Sequence, residues 1–226
     1  MNSNRKAATI AGSLYIIGMV AGLLSVVSVV DNPDFMIKVS ANENQVLRGA
    51  FSQFIMVPAY VGIALSLYPI LRKYDEGLAL GFVGFRIIAG VFNIIGVIIL
   101  LLILTVSQEF ANAGSPDPSY FQTIGGLLRS ARDMVNHVGM ILALSFGGLM
   151  YYYILYRTKL VPRWLSGWGF IGTALTMAAS VLIMFRLIGI ITPVYIVLNI
   201  PMALQEMVLA VWLIVKGFDP IVMDGR

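Results

Sequence analysis

Two charged residues lie inside long apolar runs of this sequence, where an unpaired charge is least favourable. Arg86 lies in the third of six such runs and Glu206 in the last. Each has an asparagine seven residues away, Asn93 after Arg86 and Asn199 before Glu206. Seven residues are about two helical turns, so each pair shares one helix face. If the two helices are antiparallel, the spacing predicts a polar seam in which Arg86 faces Glu206 and Asn93 faces Asn199.

This predicted seam has two interpretations. A lone charge at the centre of a membrane helix costs about 2.5–3.5 kcal/mol on insertion scales, so pairing inside a bundle is the most favourable arrangement. The pair is then either a structural ion pair that fixes helix register or a site for an ion, a proton or a polar head group. Pro201 lies close to Asn199 and removes a backbone hydrogen bond to Val197, which favours the last helix as a cavity wall.

A second polar group begins the fourth apolar run. Asp133 and His137 are spaced i, i+4, so the carboxylate is expected to orient the only imidazole of the chain. Three further residues are close in sequence, and a glutamine of the second run lies at a similar predicted depth: Arg129, Arg132, Asn136 and Gln53. This outer cluster is interpreted as an anion or lipid-headgroup site, as a proton-sensitive site, or as an ordinary solvated helix end.

The sequence lacks the usual signatures of cofactor, metal and nucleotide chemistry. There is no cysteine, which excludes disulfides and thiolate ligands, and one histidine cannot supply two haem ligands. The chain has no H-E-x-x-H zinc helix, G-x-S-x-G elbow, phosphate loop, dinucleotide fingerprint or nucleic-acid patch. We therefore expect no metal, no cofactor and no nucleic-acid partner, and an enzymatic activity is not favoured.

Composition identifies the elements that must position these residues. The chain is 59% hydrophobic and 12% charged, with a mean hydropathy of +0.89; soluble domains are roughly 45–50% apolar and about 25% charged. The 226 residues accommodate six spans of about 20 residues and little else. We expect an all-α integral membrane protein, a single domain over residues 1–226. The apolar runs are residues 7–30, 49–71, 78–106, 134–156, 164–185 and 193–215.

Basic residues predict the orientation of the bundle. Apart from Arg86, nine Lys and Arg residues fall on one predicted side and five on the other. Because the cytoplasmic side carries the excess, both termini are predicted to be cytoplasmic. The nine are Arg5, Lys6, Arg72, Lys73, Arg157, Lys159, Arg163, Lys216 and Arg226, and the five are Lys38, Arg48, Arg129, Arg132 and Arg186.

The outer segment between the third and fourth spans contains one more predicted element. Residues 119–128 begin with a capping-box pattern at Ser119 and Gln122 and place Phe121, Ile124 and Leu128 on one face. This predicts a short interfacial helix, either a lid over the bundle or a surface anchor.

The sequence resembles the bacterial membrane family of domain of unknown function DUF4386 over almost its whole length. The resemblance rests on Arg86, on His137, on residues 156–169 (YRTKLVPRWLSGWG) and on Glu206 followed by residues 212–218 (WLIVKGF). In the family an acidic residue often follows the arginine by three positions, whereas this chain has Ala89, which leaves Glu206 as the only carboxylate deep in the membrane. The resemblance implies a six-helix bacterial inner-membrane protein and no particular activity.

Three functional hypotheses remain at this stage. The leading one is a non-enzymatic protein in the lipid bilayer that binds or transports a small polar or amphiphilic ligand, including a lipid, at the seam. The second is an intramembrane enzyme acting on a lipid-linked substrate, with His137 and Asp133 as acid-base groups. The third is a structural or accessory subunit whose buried pair only fixes packing. Oligomeric state is left open.

Overall fold

A computed structural model describes residues 3–112 and 118–219 of the chain. These residues form helices and connecting turns, with no strand among them. Six helical segments are long and apolar enough to cross a membrane, which confirms the six predicted spans. The protein therefore has the architecture of a multi-pass membrane protein.

Eight α-helices make up the structure, and the spans are α1, α3, α4, α6, α7 and α8. A π-helical turn at Met134–Met140 joins α5 to α6 without a break. The bounds are α1 Ser3–Leu24, α2 Phe35–Ala41, α3 Glu43–Leu71, α4 Glu76–Asn112, α5 Pro118–Asp133, α6 Ile141–Thr158, α7 Arg163–Met184 and α8 Pro193–Val215.

The six spans form a closed ring in chain order. Each span packs extensively against the next one along the chain, and α1 also packs against α8. Arg5 at the start of α1 donates hydrogen bonds to the carbonyl oxygens of Leu213 and Val215 at the end of α8. We call this end of the ring the proximal end and the opposite end the distal end. In this ring α4 and α8 lie across the bundle from each other.

Close helix contacts and large aromatic side chains hold the proximal half together. A Cβ atom at Gly12 of α1 would lie 2.6 Å from the carbonyl oxygen of Ala210 in α8, so only glycine permits this approach. Inside the ring, Phe82 stacks on Tyr151 with ring centroids 4.9 Å apart, and Tyr152 lies beside them. The two tyrosines and Phe82 are fully buried, so the centre of the proximal half is filled by rings.

The distal half has its own apolar core, built from α2, α5 and the ends of α3 and α4. Helix α4 has 37 residues, which at ~1.5 Å per residue is about 55 Å and exceeds the roughly 30 Å hydrocarbon core of a bilayer. Phe110 near its end contacts Phe121 of α5. The pair α4 and α5 thus extends well past the length that one membrane span requires.

Helix α5 differs from the short helix predicted at residues 119–128. It runs from Pro118 to Asp133 and continues through the π-helical turn into α6, so that Ser119–Thr158 is one 40-residue helical segment. No breaking residue separates the predicted helix from the fourth span, since residues 129–133 are RSARD and continue the helix. The position of α5 relative to a membrane surface stays a prediction.

Candidate functional site

Arg86 lies at the centre of the ring, enclosed by aromatic rings. Its side chain is only 5% exposed. The guanidinium carbon lies 5.6 Å from the ring centroid of Tyr15, 5.8 Å from that of Tyr60 and 5.4 Å from that of Phe82. Nη2 also donates a hydrogen bond to the Tyr15 hydroxyl at 3.3 Å. Cations within about 6 Å of an aromatic face are attracted by the ring quadrupole, so this cage stabilises the charge and fixes its position.

Glu206 faces Arg86 across the ring, as the antiparallel register predicts. The distance from Arg86 Nη2 to Glu206 Oε1 is 3.9 Å, which is an ion pair but too long for a hydrogen bond. Within the part of the chain that the structure describes, this ion pair is the carboxylate's polar contact. The side chain of Glu206 is 29% exposed, in contrast to that of Arg86. One partner of the pair is enclosed and the other remains accessible.

The accessible carboxylate opens onto a cavity of about 250 Å³, which we call the central cavity. Five of the six spans contribute to its wall, with α1 excepted. The charged and polar lining residues are Arg86, Glu206, Asn199, Ser145, Thr173, Thr176 and Tyr60, and the apolar ones are Met140, Ile141, Leu144, Gly148, Met202 and Ala203. The wall thus combines charged and polar groups with apolar side chains, and α6 and α8 contribute both kinds.

The second half of the predicted seam is not formed. Asn93 is buried in α4, and its Nδ2 donates to the backbone oxygen of Gln53 in α3 at 3.3 Å. Asn199 Nδ2 instead donates to the backbone oxygen of Tyr195 at 2.8 Å, and only Asn199 lines the central cavity. Because α4 and α8 face each other across the ring, long arginine and glutamate side chains meet there and the shorter asparagines do not.

The predicted orientation of His137 by Asp133 is also corrected. His137 Nδ1 lies 2.8 Å from the Tyr195 hydroxyl of α8, and the two rings meet edge to face at 5.5 Å. Asp133 Oδ1 is buried and has no hydrogen-bond partner. The π-helical turn between the two residues closes i→i+5 hydrogen bonds, so positions i and i+4 no longer align as they would in an α-helix.

The remaining residues of the outer cluster are divided among separate contacts. Arg129 donates to the backbone oxygen of Asp31 at 3.1 Å and lies over the ring of Phe35. Asn136 is buried, and its amide fills the space that a side chain at Gly96 would occupy. Arg132 Nε and the side-chain oxygen of Gln53 are buried without partners. Arg129 and Asp133 line one pocket, and the other members of the outer cluster lie outside its lining.

Four aromatic residues of the site were not predicted from the sequence. Tyr15, Tyr60 and Phe82 form the cage around Arg86, and Tyr195 is the partner of His137. For Tyr15 and Tyr60 the sequence offers one signal. Both tyrosines lie in the middle of an apolar run, whereas tyrosines of membrane proteins are enriched at the membrane interface. The threonines of α7 have none, since such residues are ordinary at helix contacts in membrane proteins.

Taken together, the fold and this site define a six-span helical membrane bundle with an Arg–Glu ion pair beside a cavity between the spans. The chain belongs to the family described as domain of unknown function (DUF4386), whose model matches residues 10–217. The match covers most of the chain and includes both residues of the ion pair. No curated protein and no solved structure matches the chain.

Proposed function

We propose that this protein binds a small polar or amphiphilic ligand in the central cavity, with Glu206 as the principal binding group. The observation that carries the proposal is Glu206 in the cavity wall, with a side chain that is 29% exposed and a carboxylate that has an ion-pair partner but no hydrogen bond among the described residues. Intramembrane carboxylates are costly and are retained mainly where they act on substrates, ions or protons.

The geometry of the ion pair argues against a purely structural role. A buried pair is favourable only when its geometry is excellent and further hydrogen bonds satisfy the remaining polar atoms. Here the closest nitrogen–oxygen distance is 3.9 Å, and the guanidinium donates to Tyr15 instead of to Glu206. A pair that only fixed helix register would gain from a shorter contact, which the flexible glutamate side chain permits.

The size and wall of the cavity define the ligand further. At about 250 Å³ it lies just below the roughly 300–1,000 Å³ of ordinary ligand pockets, so the ligand is small. Its wall contains the polar side chains of Glu206 and Asn199 and the apolar side chains of Ile141, Leu144 and Met202. A molecule with one polar group and a short apolar part matches this division.

We further propose that the protein resides in a bacterial inner membrane with both termini in the cytoplasm. The support is the basic asymmetry of the sequence, since nine Lys and Arg residues fall on one predicted side of the membrane and five on the other. In this orientation α2 and α5 lie on the outer side of the membrane, where α5 rests at the interface. Transport of the ligand would require the cavity to open towards each side in turn, and Pro201 inside α8 is the position where that helix is most easily bent.

The enzymatic alternative has less support. It needs His137 and Asp133 to act together, but His137 contacts Tyr195 and lies outside the lining of the central cavity. The accessory-subunit alternative predicts that Glu206 can be replaced without any effect on ligand binding.

The test is a screen of small metabolite-like compounds against the purified protein, read out as thermal stability. A ligand at 100 times its Kd stabilises the folded state by about 2.7 kcal/mol, which is readily measured. We expect at least one compound to raise the melting temperature of the wild type and not of Glu206→Gln. Glu109→Gln is the matched control, because Glu109 is an exposed carboxylate of α4 outside the cavity lining. Equal shifts in wild type and Glu206→Gln would contradict the proposal.

A further inference from the structure

The hydrogen-bonding groups of the central cavity are unevenly divided between donors and acceptors. The backbone oxygen of Tyr195 can only accept, so its 2.8 Å contact with Asn199 fixes the amide with nitrogen towards the backbone. Asn199 therefore has its oxygen left for a ligand. The hydroxyl of Thr173 is directed to the backbone oxygen of Gly169 at 2.7 Å, and the residue is fully buried, so it offers little to a ligand. With the carboxylate of Glu206, two lining groups are available as acceptors.

The one cationic group of the cavity wall is not available to a ligand. Arg86 is 5% exposed, its Nη2 donates to Tyr15, and its Nε is buried away from any accessible surface. Three aromatic rings cover the guanidinium. The guanidinium is therefore largely enclosed, and an anionic ligand would also be repelled by Glu206. The hydroxyls of Ser145 and Thr176 adapt to either kind of partner.

We infer that the ligand of the central cavity is a small organic ammonium ion, with its charged nitrogen at Glu206 and its alkyl part against the apolar wall. This inference rests on the proposed function and specifies its substrate class. An ammonium group brings two or three N–H donors, which match the acceptors on Glu206 and Asn199.

The electrostatics of the site are consistent with a bound cation. The carboxylate lies between the caged guanidinium and the ligand and interacts favourably with both charges. The negative ring faces of Tyr15, Tyr60 and Phe82 offset part of the positive potential of Arg86, and this reduces its repulsion of a second cation. Tyr60 also lines the cavity, and the methionines Met140 and Met202 add polarisable sulfur atoms to its wall.

The experiment compares three probes of equal chain length, n-butylammonium, 1-butanol and butyrate, by calorimetric titration of the full-length protein in lipid nanodiscs. We expect n-butylammonium to bind at least about tenfold more tightly than either other probe, since a hydrogen bond to a charged group is worth more than one between neutral groups. Glu206→Gln should lose this preference, and Glu109→Gln should keep it.

A second variant keeps the inference testable if Glu206→Gln fails to fold. Asn199→Leu is of similar size and removes one acceptor, and it should weaken n-butylammonium binding about tenfold and 1-butanol binding less, because a hydrogen bond from a charged donor is worth more than one from a neutral donor. Glu206-dependent binding of 1-butanol or butyrate as tight as that of n-butylammonium would overturn the ammonium inference and leave the proposed function standing. Absence of n-butylammonium binding, or equal binding by the wild type and both cavity variants, would also overturn it. Failure of the wider compound screen would instead reject the proposed function.

Discussion

At the scale of single residues, Arg86 and Glu206 have different surroundings, and we interpret them as having different roles. Arg86 is held by three rings and the Tyr15 hydroxyl, so its position does not depend on Glu206 alone. Glu206 has no such support and keeps a surface on the central cavity. We interpret Arg86 as a fixed positive charge that lowers the free-energy cost of the Glu206 carboxylate inside the bundle.

This interpretation predicts strong coupling between the two residues. Arg86→Leu and Glu206→Leu should each destabilise the detergent-solubilised protein, because removing one partner of a buried pair costs about 3–5 kcal/mol, whereas the double mutant should recover much of the loss. A double-mutant cycle on the free energy of unfolding in denaturant measures the coupling. The double mutant should fold but not bind n-butylammonium. Additive losses in the cycle would show that the two charges do not stabilise each other.

At the scale of elements, the π-helical turn Met134–Met140 connects α5 of the distal half to the central cavity. Met140 at its end lines the central cavity, and His137 in its middle contacts Tyr195 of α8. π-Helical turns are uncommon and are frequent at functional sites. The contact therefore connects α8 to the fourth span. It lies close to Asn199 of the cavity wall, whose side chain donates a hydrogen bond to the backbone oxygen of Tyr195.

We therefore predict that Tyr195→Phe changes ligand binding more than it changes stability. The substitution removes one hydrogen bond and keeps the ring, so the free energy of unfolding should fall by only about 0.5–1.5 kcal/mol. Binding of n-butylammonium should change several-fold, because the contact joins the turn that carries Met140 to the helix that carries Asn199, and both residues line the cavity. His137→Ala should have the same effect on binding, and Tyr120→Phe, an exposed tyrosine of α5, is the control. Unchanged affinity in both variants would restrict this contact to a structural role.

At the scale of the whole molecule, a closed ring of six spans leaves the first and last helices in contact. Arg5 bonds to the carbonyl oxygens that end α8, which brings a basic side chain to the helix C-terminus. The basic residues near the chain turns then fall in unequal numbers at the two ends of the ring. Orientation in the membrane follows from this asymmetry and not from the ring itself.

The orientation is directly testable because the chain contains no cysteine. Glu76→Cys, at the proximal start of α4, and Gln122→Cys, on the exposed face of α5, introduce one thiol each. On intact cells a membrane-impermeant maleimide should label the thiol at position 122 and not that at position 76, whereas both should react after lysis. The reverse pattern on intact cells would invert the topology.

The sequence by itself determined the features that depend on local helix geometry and on the cost of charge in a membrane. Six apolar runs became six spans, and the matched depth of Arg86 and Glu206 brought the two charges together. Both follow from the chain's own spacing, because a helix has a fixed rise and an unpaired charge has few alternatives.

Only the tertiary structure decided which helices are neighbours and therefore which shorter side chains meet. The ring order separates Asn93 from Asn199, encloses Arg86 with Tyr15 and Tyr60, and leaves Glu206 on a cavity. The π-helical turn places His137 against Tyr195, whereas the sequence predicted a contact with Asp133. Between apolar helices in a membrane, association depends on close packing of small and aromatic residues, which hydropathy and spacing do not encode.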